Sequence, residues 1–333
     1  MVERSPIREY QYVGPLADAC RGFIAEKRGM GYIYTTEAKH LCEFSKFAVD
    51  FNLPMNALTA ELVCAWMERR PSDSDRNYYS RFALIKLLAE YMQRLGYDAY
   101  CPTKDALGKI QWGYTPYIFT HDEIGRFFHV AGTLKESIHT KARRRHIVMP
   151  MVFQMLYCCG LRVSEALVLR VEDVDLDNGI LTIRQSKFGK TRYVPMSAEM
   201  TAKCADYMTK QPHDLQAQDY FFRAPDDGRY DRRSIYSVFR DVLWDAKISH
   251  GGRGKGPRVH DFRHTFAVHC LNRWAREGKD VSTALPRLSA YLGHKDLAAT
   301  ERYLRMTAEV YPEISAILNE KYGAIIPKDG DTV

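Results

Sequence analysis

The sequence has no run of about 18 apolar residues, so no segment has the composition of a membrane-spanning helix. Its start, residues 1–12, is polar and lacks the hydrophobic stretch of a signal peptide. The eight cysteines are scattered without a Cys-x-x-Cys pair, and the chain has neither low-complexity segments nor internal repeats. We therefore expect a cytoplasmic protein that does not associate with membranes and whose cysteines are buried free thiols.

What the chain does contain fits two globular domains with a moderate attraction for anions. Its 333 residues suggest about two domains, and a hydrophobic content of 46% is ample for buried cores. The net charge is +7 and the pI is about 8.9. A basic excess of this size is compatible with binding to nucleic acid but does not identify a nucleic-acid-binding protein.

The first part of the chain has the periodicity of helices. Apolar residues recur on one face over 41–51, and a further amphipathic helix is predicted over 75–95. Between them, Thr59 has the position of an N-cap before a helix over 60–69. We therefore place a small all-helical domain at residues 1–100.

The second domain follows a segment with prolines, glycines, aromatics and little periodicity. We place this linker at residues 101–118 and the second domain at residues 119–333. Thr120 and Glu123 have the spacing of a capping box that opens a helix. Strand-like segments flank a turn over 186–190, which predicts an antiparallel hairpin among helices. The predicted fold class is therefore mainly α with a small antiparallel β-sheet (α+β).

Four short motifs in the second domain carry residues that suit phosphate chemistry. In chain order they are Gly160-Leu-Arg162-Val-Ser-Glu165, Gln185-Ser-Lys187-Phe-Gly-Lys190, His260-Asp-Phe-Arg263-His264-Thr265, and Leu292-Gly-His294 followed by Tyr303. His260 and Arg263 are three residues apart and therefore share a helix face. Each motif alone is a weak signal, but the four together, in this order and spacing, form a specific pattern.

Together, these motifs resemble those of the tyrosine recombinase (phage integrase) family over about residues 145–311. The resemblance implies an N-terminal core-binding (SAM-like) domain and a C-terminal catalytic domain that form a clamp on DNA. Glu165 matches an acidic position that supports the family's active site from behind the catalytic groups. The resemblance implies six catalytic residues in this chain: Arg162, Lys187, His260, Arg263, His294 and Tyr303.

The reaction of this family explains why these residue types are needed. A tyrosine attacks a phosphodiester to form a 3′-phosphotyrosyl link, and the 5′-hydroxyl of a second strand later reverses the attack. A free tyrosine has a pKa of about 10, so attack at neutral pH needs a base or a cationic field. Arginine forks suit the negative charge that develops on the non-bridging oxygens. Because the protein supplies these cations, the resemblance implies neither a metal nor another cofactor.

The resemblance also implies a role for each group. Arg162 and Arg263 would clamp the phosphate, and His294 would hydrogen-bond a non-bridging oxygen. Lys187, at a hairpin tip in the minor groove, would protonate the leaving 5′-oxygen. His260 would assist proton transfer with the tyrosine.

Several residues allow other interpretations. His260 and His264 are four residues apart, as in a zinc-binding helix, but Arg263 would bring a cation against the metal. The glycine-rich segment 251–257 lacks the Lys-Ser/Thr pair of a phosphate-binding loop, so a loop that faces DNA is the better interpretation. We interpret His264 as a helix residue or a supporting residue, with direct phosphate contact as the alternative.

Two of the assigned residues have rivals nearby in the sequence. Lys190 lies in the same predicted turn as Lys187 and could replace it. Tyr291 and Tyr311 could replace Tyr303, although only Tyr303 has the expected spacing from the preceding histidine.

The expected partner is double-stranded DNA. Contacts with its phosphates should make the binding depend on the salt concentration. By the resemblance, the protein would be a homotetramer in the synaptic complex and a monomer or weak dimer when free, with accessory DNA-bending proteins as candidate partners. The segment 312–323 has an apolar face that could dock into a neighbouring protomer, and little chain precedes the first helix for a separate arm-binding domain. DNA contacts are predicted, with solvated surface charge as the alternative, for Arg76, Arg81, Lys86, Arg253 and Lys255.

The predicted function is site-specific DNA recombination, in the integration or excision of a mobile element or in the resolution of DNA. The protein would be associated with the nucleoid when it binds DNA. Two other classes stay open at this point. A type IB topoisomerase or telomere resolvase would use similar chemistry without joining two sites, and a non-catalytic DNA-binding protein would form no covalent adduct.

Overall fold

The computed structural model describes residues 9–71, 73–108, 115–136, 144–184, 191–212, 214–252 and 256–294, and then residues 300, 302–304 and 306–307. The chain divides into two compact units, Met1–Tyr114 and Thr115–Val333. Within the described ranges, no helix combines the length and the apolar composition that a membrane crossing requires.

The first unit is a helical bundle around an apolar core. Its described α-helices are α1 (Ala17–Gly29), α2 (Thr35–Phe47), α3 (Ala60–Trp66) and α4 (Asp75–Arg94). The Thr59 hydroxyl accepts a hydrogen bond from the Leu62 N–H at 3.3 Å, which confirms the predicted N-cap of α3. Phe23, Phe44 and Trp66 pack in the core of this unit.

The second unit is mainly helical and carries a small sheet. Its described α-helices are α5 (His121–Gly132), α6 (Arg145–Cys158), α7 (Val163–Ala166), α8 (Ala198–Thr209), α9 (Arg232–Asp245), α10 (Asp261–Arg276) and α11 (Val281–Leu292). Strands β1 (Val174–Asp175), β2 (Ile180–Ile183) and β3 (Arg192–Pro195) pair antiparallel in the order β1-β2-β3. These elements confirm the predicted fold class.

A local sequence signal explains where α5 begins, and the pairing of the strands explains where β3 begins. The Thr120 hydroxyl accepts from the Glu123 N–H at 3.1 Å while the Glu123 carboxylate accepts from the Thr120 N–H at 2.8 Å, which confirms the capping box before α5. On the sheet, Ile183 pairs with Arg192. This register brings Arg192 to the start of β3, where it reaches the candidate site.

Helix α10 is the central support of the candidate site. Phe262 is fully buried and stacks on Phe119 with ring centroids 5.2 Å apart, and its ring also packs edge-on against Phe127 and Phe239. This aromatic cluster fixes the first turn of α10, which carries the motif residues Arg263 and His264.

The cysteines depart partly from the prediction. All eight are free thiols, but only Cys20, Cys42, Cys159 and Cys204 are buried. Cys64 and Cys158 are exposed, so the expectation of a uniformly buried set was wrong. Both exposed residues lie on helices, α3 and α6, on the faces that turn away from the cores. A lone apolar-like residue on the outer face of a helix costs little, which the sequence alone does not reveal.

Candidate active site

Three arginines converge on the carboxyl end of α11. Arg192 Nε donates to the Tyr291 carbonyl at 3.0 Å, Arg263 Nη2 to the Leu292 carbonyl at 2.5 Å, and Arg162 Nη2 to the Gly293 carbonyl at 3.1 Å. The last carbonyls of a helix lack partners within the helix and carry partial negative charge. The three guanidinium groups satisfy consecutive carbonyls there, which holds them in a fixed relation to one another.

Arg263 joins two helix ends and is almost wholly buried. Its side chain is 1% exposed, and its Nη1 donates to the Gly160 carbonyl at 2.7 Å, at the end of α6. Gly160 has a φ of +58°, and a Cβ there would lie 2.6 Å from Phe266. Glycine is therefore required both for the backbone conformation and for the space. Burial lowers the pKa of Arg263 to about 10, with a contribution from the positive charge of Arg162, so the group is still cationic at neutral pH.

Glu165 ties two of the three arginines together. Its Oε1 accepts from Arg162 at 2.7 Å, and Arg192 donates to both oxygens at 2.9 and 2.8 Å. Burial favours the protonated carboxyl, but the hydrogen bonds and charge of Arg192 and then Arg162 outweigh it and lower the pKa of Glu165 to about 2. A charged Glu165 therefore holds the side chains of Arg162 and Arg192 in place, and its supporting role in the reaction stays a prediction.

Sequence reasoning missed Arg192. Its side chain is only 10% exposed, and its aliphatic part packs within 3.1 Å of the position that a Cβ on Gly293 would take. The available signal was its place just after the turn that carries the predicted catalytic lysine. Its partner Glu165 lies 27 residues earlier in the chain, so no local pattern connects the two.

Tyr303 lies among the histidines of the motifs. Its side chain is 3% exposed, and its hydroxyl lies 2.9 Å from Nδ1 of His264. The His294 ring stacks beside the Tyr303 ring at a centroid distance of 6.0 Å, and Nδ1 of His294 lies 2.7 Å from the Thr300 hydroxyl. His260 meets the ring of His264 edge-on at 4.8 Å.

Burial and neighbouring charge set the protonation of this cluster. Burial raises the pKa of Tyr303, while the positive charges of Arg263, Arg162 and Arg302 oppose the rise. Desolvation of its ring lowers the pKa of His260 to about 4, although the residue as a whole is exposed, and the charges of Arg263 and Arg162 add to this effect. Both tyrosine and histidine are therefore neutral near pH 7.

The structure brings five of the six predicted catalytic residues into this one region: Arg162, His260, Arg263, His294 and Tyr303. Lys187 and its rival Lys190 lie outside the described residues, as do Arg253 and Lys255. Of the rival tyrosines, Tyr291 stacks on Phe266 and donates its hydroxyl to the Pro195 carbonyl at 3.2 Å, and Tyr311 is outside the described residues.

The zinc alternative for His260 and His264 finds no support. Across the residues that the structure describes, no group of three His, Cys, Asp or Glu side chains is placed to hold a metal ion. The two imidazoles instead contact each other, and His264 contacts the tyrosine.

The predicted DNA-contact residues of the first unit differ in their surroundings. Arg76 is exposed on α4. Arg81 is 11% exposed and pairs with Asp73 at 2.8 Å, so contact with a phosphate would compete with this ion pair. Lys86 lies 3.8 Å from Glu90 one helical turn along. The three DNA contacts stay predictions.

The second unit is mainly helical and holds a buried tyrosine beside arginines and histidines, which is the arrangement expected of a tyrosine recombinase. The family model described as the phage integrase family matches residues 118–309. The chain therefore belongs to the phage integrase family, as its motifs indicated. Its activity is site-specific DNA recombination, an enzymatic breakage and rejoining of DNA strands.

Individual relatives agree with this assignment. The chain is 31% identical over 312 residues to the protein named integrase/recombinase y4rB of Sinorhizobium fredii. The alignment covers 91% of this chain and 97% of that protein. It is 30% identical over 171 residues to the tyrosine recombinase XerA of Pyrococcus furiosus, covering 51% and 52%. The solved structure of the Tn1549 transposon integrase in complex with transposon right end DNA has a similar fold, with a TM-score of 0.62 at 15% identity, covering 92% and 99%.

Proposed function

We propose that Tyr303 is the nucleophile that cuts DNA and that Arg162 and Arg263 bind the phosphate it attacks. The observation that carries this assignment is the convergence of both arginines on the end of α11, beside the buried Tyr303 hydroxyl. Because Arg263 is almost wholly buried and keeps its charge, it offers a preorganised cation to the developing oxyanion. His294 adds a hydrogen bond to a non-bridging oxygen.

The reaction proceeds in two balanced transesterifications. The Tyr303 oxygen forms a bond to phosphorus while the bond to the 5′-oxygen breaks, and Lys187 supplies the proton that the leaving oxygen takes. The 5′-hydroxyl of a second strand then attacks the 3′-phosphotyrosyl link and releases the tyrosine. The covalent link conserves the energy of the phosphodiester, so strands are exchanged without another energy source.

Double-stranded DNA is the partner on which this chain acts. Both units contact the duplex, with the helical first unit as the core-binding domain at 1–100 and the catalytic domain at 119–333. The Tn1549 transposon integrase, which shares the fold, has been solved with transposon right end DNA and supports this proposal. Basic side chains such as Arg76 contribute phosphate contacts that weaken as salt increases.

The assembly and biological setting follow from the same resemblance. The protein is a monomer or weak dimer when free and a homotetramer when it holds two sites, and accessory DNA-bending proteins help to bring the sites together. The segment 312–323, which lies outside the described residues, docks into the neighbouring protomer. The protein acts in the cytoplasm, on nucleoid DNA, in the integration or excision of a mobile element or in the resolution of DNA.

A two-site plasmid assay tests this proposal. The DNA segments that flank the gene are cloned as two copies on a supercoiled plasmid, and the products are sequenced after incubation with the protein without added metal. We expect deletion or inversion between the copies, and a chain that ends after Tyr311 should bind DNA but lose synapsis. Relaxation of supercoils without joining of sites would contradict the proposal in favour of topoisomerase activity, and an unaffected tetramer in the shortened chain would contradict the docking role of 312–323.

A further inference from the structure

His264 is in closer contact with the Tyr303 hydroxyl than the family resemblance leads one to expect. Its Nδ1 lies 2.9 Å from the phenol oxygen, although 39 residues separate the two in sequence. The resemblance connects proton transfer with His260, yet the ring of His260 meets the edge of His264 at 4.8 Å. His264 therefore contacts both the nucleophile and the histidine expected to serve it.

The direction of the hydrogen bond depends on which His264 nitrogen carries the proton. Arg263 acts on Tyr303 through its positive charge, while its two terminal nitrogens donate to the Gly160 and Leu292 carbonyls. A phenol donates through its O–H, and the unprotonated nitrogen of a neutral imidazole accepts, so the Tyr303 O–H donates to His264 when Nδ1 carries no proton. This requires the His264 tautomer that carries its proton on Nε2.

The surroundings of His264 favour the neutral ring that can accept a proton. Burial lowers the pKa of His264 to about 3, and the charges that face it act in the same direction. These neighbours, in decreasing order of effect, are His260, Arg263, Arg302 and His294. A neutral imidazole has one unprotonated nitrogen, and in the tautomer protonated on Nε2 this is the Nδ1 that faces the nucleophile.

We propose that His264 is the base that takes the proton from Tyr303 during strand cleavage and that His260 acts through His264. The proposal rests on the proposed function of Tyr303. As the bond from the phenol oxygen to phosphorus forms and the bond to the 5′-oxygen breaks, the phenol proton moves to His264 Nδ1. In the reverse step the proton returns to the tyrosine oxygen as the phosphotyrosyl bond breaks, so His264 is regenerated.

Chemical need supports this assignment. Burial raises the pKa of Tyr303, so the phenol ionises poorly without an acceptor for its proton. A general base of this kind contributes about 10²–10⁴-fold to a rate. A DNA phosphate that enters the site adds negative charge near His264, and this charge increases the proton affinity of the ring when it is needed.

Two substitutions separate a base from a residue that only positions the tyrosine. His264→Asn keeps a hydrogen-bonding atom near the place of Nδ1 but cannot hold the proton, and His264→Ala leaves room for free imidazole. His129→Asn, on the exposed face of α5, is the matched control. Thermal unfolding of each variant shows whether it is folded.

Two DNA substrates separate the nucleophile from the leaving group. Nicked suicide duplexes from the DNA that flanks the gene are prepared with either a normal scissile phosphate or a sulfur in place of the bridging 5′-oxygen. A thiolate leaves without needing a proton, so the sulfur substrate removes the requirement for an acid but not for a base. Lys187→Ala, which removes the assigned acid, serves as the comparison.

We expect His264→Asn to slow single-turnover adduct formation about 100-fold on both substrates. Lys187→Ala should recover on the sulfur substrate, added imidazole should accelerate His264→Ala about tenfold, and His129→Asn should match the wild type. Activity of His264→Asn within about threefold of the wild type, or its recovery on the sulfur substrate, would overturn the proposal. Absence of a wild-type adduct would contradict the proposed function itself, whereas a wild-type adduct with an active His264→Asn contradicts only this inference.

Discussion

The Arg192 guanidinium and the Glu165 carboxylate form a two-point ion pair, with both N–O distances between 2.8 and 2.9 Å. The pair is largely buried, and the same guanidinium donates to the Tyr291 carbonyl at the end of α11. Arg192 therefore links β3, the strand after the turn with the predicted lysine, to the carboxylate that holds Arg162. This link makes Arg192 a positioning residue for the phosphate site.

Replacement of Arg192 should reduce both stability and cleavage. Arg192→Ala leaves a buried carboxylate with fewer partners, which costs about 3 kcal/mol of unfolding free energy. Arg192→Lys should not restore cleavage, because an ammonium cannot make the two-point contact. Urea unfolding and adduct formation measure the two effects. Tyr193→Phe, at the neighbouring exposed position of β3, should change stability by less than about 0.5 kcal/mol, and equal losses in both variants would contradict this role.

A side chain at position 160 should disturb the packing around the buried Arg263 side chain. Gly160→Ala introduces a positive φ for alanine and a Cβ 2.6 Å from Phe266, and we expect a loss of about 2–4 kcal/mol in unfolding free energy. Gly132→Ala is the matched control, because Gly132 ends α5 with open space around its Cβ position. Its stability should be unchanged or slightly higher. Equal stability of the two variants in urea would contradict the steric argument.

Acid should remove the contribution of Glu165 to stability. Its pKa is about 2 in the folded protein, below the ordinary value of 4.5, so the folded state favours the charged carboxylate. The contribution is therefore complete above about pH 4.5, falls as the pH decreases toward 2, and is on the order of 3 kcal/mol. The unfolding free energies of the wild type and Glu165→Gln should differ at pH 6 and converge toward pH 2. A difference that stays constant with pH would contradict the ion-pair account.

Substitutions of two arginines of α4 should have different effects, one on DNA binding and the other on stability. Arg76→Ala removes an exposed cation, so it should weaken DNA binding and reduce the salt dependence by about one counterion while stability stays the same. Arg81→Ala breaks the partly buried pair with Asp73, so it should destabilise the protein by about 1–3 kcal/mol. Binding titrations at several salt concentrations and thermal unfolding test both. The reverse pattern would show that Arg81 is the residue that contacts DNA.

The sequence was sufficient where signals are local or follow a specific order. Thr59 and the Thr120–Glu123 box predicted helix starts because a cap and its target lie within three residues. The order of the four motifs predicted the family, which the family match confirms. The catalytic roles of these residues stay predictions.

The contacts that build the site could not be read from the sequence. Backbone carbonyls are the same whatever the sequence, so no pattern of residues marks those at the end of α11 as partners of arginines. Their hydrogen bonds with Arg162, Arg192 and Arg263 depend on how distant elements pack. The contact between His264 and Tyr303 spans 39 residues. Sequence reasoning therefore treated His264 as a helix or supporting residue.

Covalent trapping tests the central assignment most directly. The wild type, Tyr303→Phe and Tyr291→Phe are each incubated with nicked suicide duplexes from the DNA that flanks the gene, and the products are separated on a denaturing gel. Tyr291 is the matched control, because its hydroxyl donates a hydrogen bond to the Pro195 carbonyl at 3.2 Å. We predict a covalent adduct with the wild type and Tyr291→Phe and none with Tyr303→Phe. An adduct that persists in Tyr303→Phe would contradict the assignment of the nucleophile.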